Sequence, residues 1–315
     1  MVYVGIDLGG TSIKAGLVDE QGKILCKATC PTLVERGARP VVDDMAKLSL
    51  EVIEKGGYTL QDVKAIGVGL PGIQDPRTGI VPFCTNLYWH EVPVIEWMQE
   101  TINKPIYIGN DATVAGLAES VAGVSAGIEN SVFLTLGTGV GGGIVVEGKL
   151  LHGAHGSGAE IGHLVLNRDE TVPCNCGKRG CVEQYCSATG IVRLAKRHLD
   201  STDAPSSLRT LKNLTCKDIF DAGKAGDKEA LMILDQYYAY MGEFLGNVCS
   251  TVDPEVVVIG GGVSKAGQML IDGILPYFHK YVFHAASGAR FTLASLGNDA
   301  GAYGAFKLAL DAFRG

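Results

Sequence analysis

The chain has 315 residues, 46% of them hydrophobic, enough to bury a large core and, by length, suggesting about two domains. Its net charge of −7, with no Lys/Arg block, excludes the basic face that a non-specific nucleic-acid binder needs. The opening MVYVGIDLGG lacks a basic n-region and contains Asp7, and the charge-free run 130–146 is short of the roughly 20 residues of a spanning helix, so the expectation is a soluble cytoplasmic protein without membrane partners.

In chain order, YVGIDLG reads as a strand, followed by SIKAGLVD and, after the turn EQGK, by KILCKAT. PVVDDMAKLSLEVIEKGG places Val42, Met45, Ser49 and Val52 at helical spacing, with Gly56 and Gly57 as a stop. VKAIGVGLPG reads as a buried strand entering a loop. VIEWMQETIN is a short helix, PIYIGND a strand and ATVAGLAESVAG a small-residue helix. A long helix over 228–251 is capped by Asp227 and stopped near Pro254, and the strand EVVVIGGG and a helix from about Lys265 follow it. The tail sets Ala302, Phe306, Leu310 and Phe313 on one helical face.

Residues 5–25 and 133–151 share one pattern: strand, Gly/Thr turn, strand, Gly-Lys turn, apolar stretch. Leu8-Gly9 aligns with Leu136-Gly137. The repeat predicts an α/β protein of two similar halves, each a three-strand meander followed by alternating helices and strands, with a ligand cleft between them.

The turns themselves suggest phosphate binding. In DLGGTSIK, Gly9 and Gly10 let the backbone approach an anion, Thr11 adds a hydroxyl, Lys14 a charge, and Asp7 a ligand for Mg²⁺ through water. Gly137, Thr138 and Gly139 offer a second such turn, and the two together would clamp a polyphosphate. Neither has Walker A spacing. Gly260, Gly261 and Gly262 lack the dinucleotide fingerprint and suit a flat adenosine lying on backbone.

These stretches, with GVGLPG, GNDATVAGLAE, EIGH, CNCGKRGCVE and VVVIGGGVS in the same order, resemble the ROK family of bacterial sugar kinases and repressors, within the actin/hexokinase-like (ribonuclease H-like) superfamily. The resemblance covers essentially the whole chain and is strongest toward ATP-dependent glucokinases. It implies two domains around a cleft: 1–117 with 300–315 packed back on it, and 118–299 carrying the cysteines. It also implies ATP, Mg²⁺ and a homodimer. Local sequence reads Asp111 as an N-cap; the resemblance makes it the general base for the sugar hydroxyl. By motif, sugar contacts fall to Gly72, Asn86, Asn110, Asp111, Glu160, His163 and Glu183. Where the family often has Glu before the Asn-Asp pair, this chain has Gly109.

Cys174, Cys176 and Cys181, with His163 eleven residues before the first, form a Cys₃His set of the structural Zn²⁺ type. Gly177 and Gly180 allow the turns this needs. The C-x-x-C spacing of a redox dithiol is absent. Cys26, Cys30, Cys84, Cys186, Cys216 and Cys249 read as packing residues. With one His nitrogen on the metal, the other is left for a sugar hydroxyl. The rival substrates are N-acetylmannosamine, N-acetylglucosamine, fructose and allose. Rival classes are a sugar-responsive repressor, disfavoured because the first strand starts at Val2, and an actin-like filament or chaperone ATPase, which gives no reason for EIGH or the cysteines.

Overall fold

A computed structural model describes residues 1–75, 77–154, 157–297 and 300–314, Ile73 and Arg314 by backbone alone. The chain divides into two compact units, one of residues 1–128, 143–158 and 295–315, the other of 129–142 and 159–294. Among the described residues no helix is long and apolar enough to cross a membrane.

The first unit is built on β1 (Val2–Leu8), β2 (Ser12–Asp19) and β3 (Ile24–Pro31), an antiparallel meander with Leu8 opposite Ile13. After α1 (Ala38–Lys55), β4 (Val63–Leu70) joins β1 in parallel. Then come the short strands β5 (Ile73–Asp75), β6 (Ile80–Cys84) and β7 (Trp89–Pro93), which form a small sheet of their own. Helix α2 (Val94–Gln99) leads to β8 (Ile106–Asn110), parallel to β4, and α3 (Asp111–Ala122) follows at once. The sheet order is β3-β2-β1-β4-β8.

Strand alternation decides which residues of β1 face which layer. Val2, Val4, Ile6 and Leu8 pack in the cluster that contains Val42, Met45 and Val52 of α1. Tyr3 faces the other way, into a cluster with Phe306 and Leu310 of the C-terminal helix, its ring 5.6 Å from that of Phe306 in edge contact. Gly5 is on the same face, and a Cβ there would lie 2.1 Å from the Ala302 carbonyl oxygen, so glycine sets how closely the helix approaches the sheet.

A second sheet repeats the plan. Strands β9 (Ser131–Leu136), β10 (Val140–Val146) and the two-residue β11 (Lys149–Leu150) form its meander; the unit boundary falls within β10, so that β11 is counted with the first unit. The helices are α4 (Glu183–Cys186), α5 (Ala188–Asp200), α6 (Cys216–Lys224) and α7 (Lys228–Val252). Strand β12 (Val256–Gly260) lies parallel to β9, and after α8 (Gln268–Tyr281), β13 (Arg290–Leu293) lies parallel to β12. The order β11-β10-β9-β12-β13 matches the first sheet strand for strand. Thus the repeat read in the sequence is a repeat of topology. The C-terminal helix, α9 (Ala300–Arg314), belongs to the first unit.

Helix α7 is capped by Asp227, whose carboxylate accepts from Ala230 N at 3.1 Å. The Asp227 carboxyl, which burial alone would raise, is held at about 2 by hydrogen bonds from Ser207, Ala230 and Ser206. Where the sequence suggested a helix from about Lys265, a 3-10 turn at Val263–Ala266 comes first and α8 starts at Gln268, after Gly267 at φ 78°.

Candidate functional site

In the first unit the turn after β1 closes through Gly9 N donating to the Ser12 carbonyl at 3.0 Å. It is held by Thr32, a residue with 0% exposure that no local pattern marks. The Thr32 hydroxyl donates to the Gly9 carbonyl at 2.6 Å and its N–H to the Thr11 carbonyl at 3.1 Å. Lys14, on β2, stands 3.9 Å from Asp7. Burial raises the Asp7 pKa, Lys14 opposes this and the charge of Asp111 adds to it. Asp7 therefore feels Asp111 as a like charge.

Asp111 opens α3. The cap is Asn110, one residue earlier than the sequence suggested: its side chain accepts from Ala112 N at 2.9 Å, and the Asp111 carboxylate accepts from the same N–H at 2.8 Å. Asp111 keeps water-accessible surface while protein atoms crowd around it. That crowding raises its pKa, against the hydrogen bond from Ala112. Asn110 also donates to the Gly72 carbonyl at 3.2 Å. Gln74, buried and unnoticed in the sequence, joins them: with its amide nitrogen toward Gly72 O at 2.8 Å, its oxygen accepts from Asn110 N. Asn86 is exposed in the turn Thr85–Leu87. At Gly109 a Cβ would lie 2.9 Å from Leu308 Cδ2 of α9, so the absence of a side chain there accompanies close helix packing.

In the second unit, His163 Nδ1 and the sulfurs of Cys174, Cys176 and Cys181 all lie within 4.8 Å of one another. Cys176 Sγ is 3.6 Å from Cys181 Sγ, and Cys174 Sγ is 3.9 Å from His163 Nδ1. A tetrahedral Zn²⁺ puts such atoms about 3.5–3.8 Å apart, so these two pairs are near that spacing and any pair near the 4.8 Å limit would have to close by about 1 Å. Gly177 (φ 85°) and Gly180 (φ 74°) make the turns, and Cys174 N donates to Lys178 O at 2.7 Å to close the loop. Burial, then hydrogen bonds with Cys176 and Cys174, push the Cys181 thiol up to about 12, so a cation is needed to draw it into the thiolate form near neutral pH. The second nitrogen of His163 points to Glu160, with Nε2 4.0 Å from its carboxylate.

An ion network around one buried acid holds the loop before the cysteines on α5. The Glu170 side chain is 2% exposed and takes Arg197 at 3.0 Å through both oxygens, Tyr185 Oη at 2.6 Å, Val172 N at 3.0 Å and Arg193 at 3.1 Å. The Arg197 guanidinium above all holds its carboxyl far below the usual range.

Glu183 links this cluster to the second Gly turn. One carboxylate oxygen accepts from Val140 N at 3.1 Å, and the other lies 3.7 Å from Cys174 Sγ. A Cβ at Gly139 would sit 2.2 Å from the Glu183 carboxylate, so glycine is what admits that acid. Of the three glycines that end β12 and follow it, Gly261 (φ 82°) is fixed by packing, its Cβ position 2.6 Å from the Leu136 backbone, whereas Gly262 opens on a cavity of 370 Å³. That cavity is lined also by Thr215, Cys216, Phe220, Val263 and Lys265. The sequence reading found Gly262 but read Cys216 as packing only and passed over Phe220.

The profile of the ROK family matches residues 3–312. The chain belongs to the ROK family. A glucokinase of Halalkalibacterium halodurans is 39% identical over 96% of this chain and 93% of its own length. Among solved structures, the ROK hexokinase of Thermus thermophilus superposes with a TM-score of 0.86 at 32% identity, each chain covered in full. A ROK glucokinase from Streptomyces griseus, solved with glucose and AMPPNP, gives 0.75 at 32% identity over 99% of this chain and 100% of its own. These similarities extend over both units, so the ROK family's actin/hexokinase-like fold is the fold of this chain.

Proposed function

We propose that this ROK chain is a glucokinase, transferring the γ-phosphate of ATP to the 6-hydroxyl of D-glucose. The observation that carries it is the 39% identity to a glucokinase over 96% of the chain. The local geometry supports it residue by residue. Asp111 takes the proton of the hydroxyl as its oxygen attacks the γ-phosphorus and the bond to the ADP oxygen breaks. Its raised pKa brings it nearer to the pH at which it must accept that proton. Asn110, fixed by Gly72 and Gln74, is set to bind a sugar hydroxyl, as are Asn86, Glu160 and Glu183.

For the nucleotide, the backbone N–H groups of Gly10 and Thr11 in the first turn, and of Thr138 and Gly139 in the second, are the donors for phosphate, the N–H groups of Gly9 and Gly137 being used to close the turns themselves, with Lys14 a positive charge. The cavity at Gly262 takes the base. Mg²⁺, when bound, would neutralise phosphate charge, and Asp7 is the carboxylate that would hold it. Cys174, Cys176, Cys181 and His163 would hold Zn²⁺, which would fix the orientation of His163 and of the neighbouring Glu183 and take no part in the phosphoryl transfer.

The test is a coupled assay of glucose, fructose, allose, N-acetylglucosamine and N-acetylmannosamine, with ATP and with polyphosphate as donors. Glucose with ATP is expected to give the highest kcat/KM. A rival sugar about tenfold better would reassign the substrate while keeping the phosphoryl chemistry.

A further inference from the structure

Each glycine turn is gripped from the side away from its N–H groups, and in both cases the grip is a threonine hydroxyl with one backbone N–H. Behind the first turn, Thr32 Oγ1 donates to Gly9 O at 2.6 Å and Thr32 N to Thr11 O at 3.1 Å. Behind the second, Thr189 Oγ1 donates to Thr138 O at 2.7 Å and Ala188 N to Gly137 O at 2.8 Å. The two threonines are unrelated in sequence context. One follows the edge strand β3, and the other lies in the first turn of α5.

A trans peptide is planar, with C=O and the next N–H on opposite sides. Anchoring the Gly9 carbonyl therefore turns the N–H of Gly10 to the far side. Anchoring Gly137 and Thr138 does the same for the N–H groups of Thr138 and Gly139. These three are among the donors the proposed function gives to phosphate. The Ser187 hydroxyl donates to the Glu183 carbonyl at 2.6 Å and accepts from Gly190 N at 2.9 Å; Thr189 Oγ1 lies 2.9 Å from it, a longer contact than the 2.7 Å to Thr138 O.

We infer that Thr32 and Thr189 are positioning residues for nucleotide phosphate: each holds a glycine turn by its carbonyls so that the turn's N–H groups face the anion. The inference rests on the ATP-binding reading above. Neither threonine touches the nucleotide; each acts through a peptide plane. The second grip also runs into the cysteine cluster, because the segment that carries Thr189 begins at Glu183, beside Cys174.

The experiment measures binding of AMPPNP and of AMP by calorimetry to the full chain and to Thr189→Val and Thr189→Ser. Thr189 is exposed, so its replacement leaves the fold intact. Thr189→Val is expected to weaken AMPPNP about 3- to 10-fold, the effect of one neutral hydrogen bond, with AMP unchanged and Thr189→Ser restoring wild-type affinity. Steady-state kinetics should show the same split: the KM for ATP rises and the KM for sugar does not. Unchanged AMPPNP affinity overturns the inference. So does equal weakening of AMP, or a Ser variant as weak as Val. Thr32→Val against Thr32→Ser repeats the comparison at the buried grip. A wild-type chain that binds no AMPPNP removes the kinase reading itself, an outcome visible before any variant is made.

Discussion

Asp111 has two jobs that pull apart. As a helix-opening residue it accepts from Ala112 N, which favours the ionised form, while the protein around it disfavours that form and prevails, so its pKa is raised. A carboxylate with a raised folded-state pKa makes the folded state less stable at any pH above that pKa, and the penalty vanishes below the unfolded value. Asp111→Asn keeps an oxygen for Ala112 and removes the charge. It should lower kcat by about 10²–10⁴, leave sugar affinity nearly unchanged, and hold or raise the Tm at neutral pH. Activity of the wild type should fall as pH drops through the raised pKa, an acid limb above that of an ordinary Asp; the residual activity of Asp111→Asn should lack that limb. Turnover near the wild-type level in the variant would remove Asp111 from the chemistry. A clear loss of Tm would instead make it structural.

At the scale of elements, α3 is fixed at both ends, and its far end depends on a single buried acid. Glu119 is 1% exposed. It accepts from Val124 N at 2.9 Å, Ser295 N at 2.8 Å, Leu296 N at 3.0 Å and Ser295 Oγ at 3.2 Å. These bonds tie α3 to the strand exit that leads into α9. Glu119→Ala strands three backbone donors and is expected to cost about 3 kcal/mol in denaturant unfolding, with Glu119→Gln losing less. A loss under about 1 kcal/mol for the Ala variant would mean that water replaces the carboxylate. Most elements were legible because their patterns were strict. The meander repeats itself, α1 places Val42, Met45, Ser49 and Val52 at helical spacing and buries all four, and Asp227 is a capping residue in both sequence and structure. The small sheet β5 to β7 was not legible: its strands are three to five residues long, two contain Pro, and no alternation survives at that length. Thr32 and Gln74 were invisible for another reason. Their roles are hydrogen bonds to backbone 23 residues away for Thr32, and for Gln74 to an asparagine on another strand. No local pattern encodes such contacts.

At the scale of the whole molecule, the cysteine cluster is an addition to a chain that already has large cores, and this decides what metal removal does. Small zinc domains unfold without their ion because they have little else to bury. Here the first unit buries two layers around β1, and in the second α7 buries Ile233, Tyr237, Met241, Phe244 and Leu245, all remote in sequence from the cysteines. In the loop that carries the thiols, Gly180 and Cys181 are tied to Leu166 and to the Gln184 side chain, whereas the turn at 174–178 is closed only locally, by Cys174 N to Lys178 O and Gly177 N to Cys174 O, and Val182 N is bonded to Leu164 O. Freshly purified protein is expected to hold about one zinc per chain. A strong chelator at neutral pH should leave the far-UV circular dichroism nearly intact. It should speed amide exchange at Gly177 and Val182, raise the KM for sugar through Glu160, His163 and Glu183, and do so more readily as pH falls, because protons compete for the thiolates and the imidazole. Exchange in β1 and β4 should not change. A protein isolated without zinc, with those amides already protected, would show that the thiols form a packed cluster in their own right; collapse of the circular dichroism on chelation would show that the ion is needed for far more than the loop it closes.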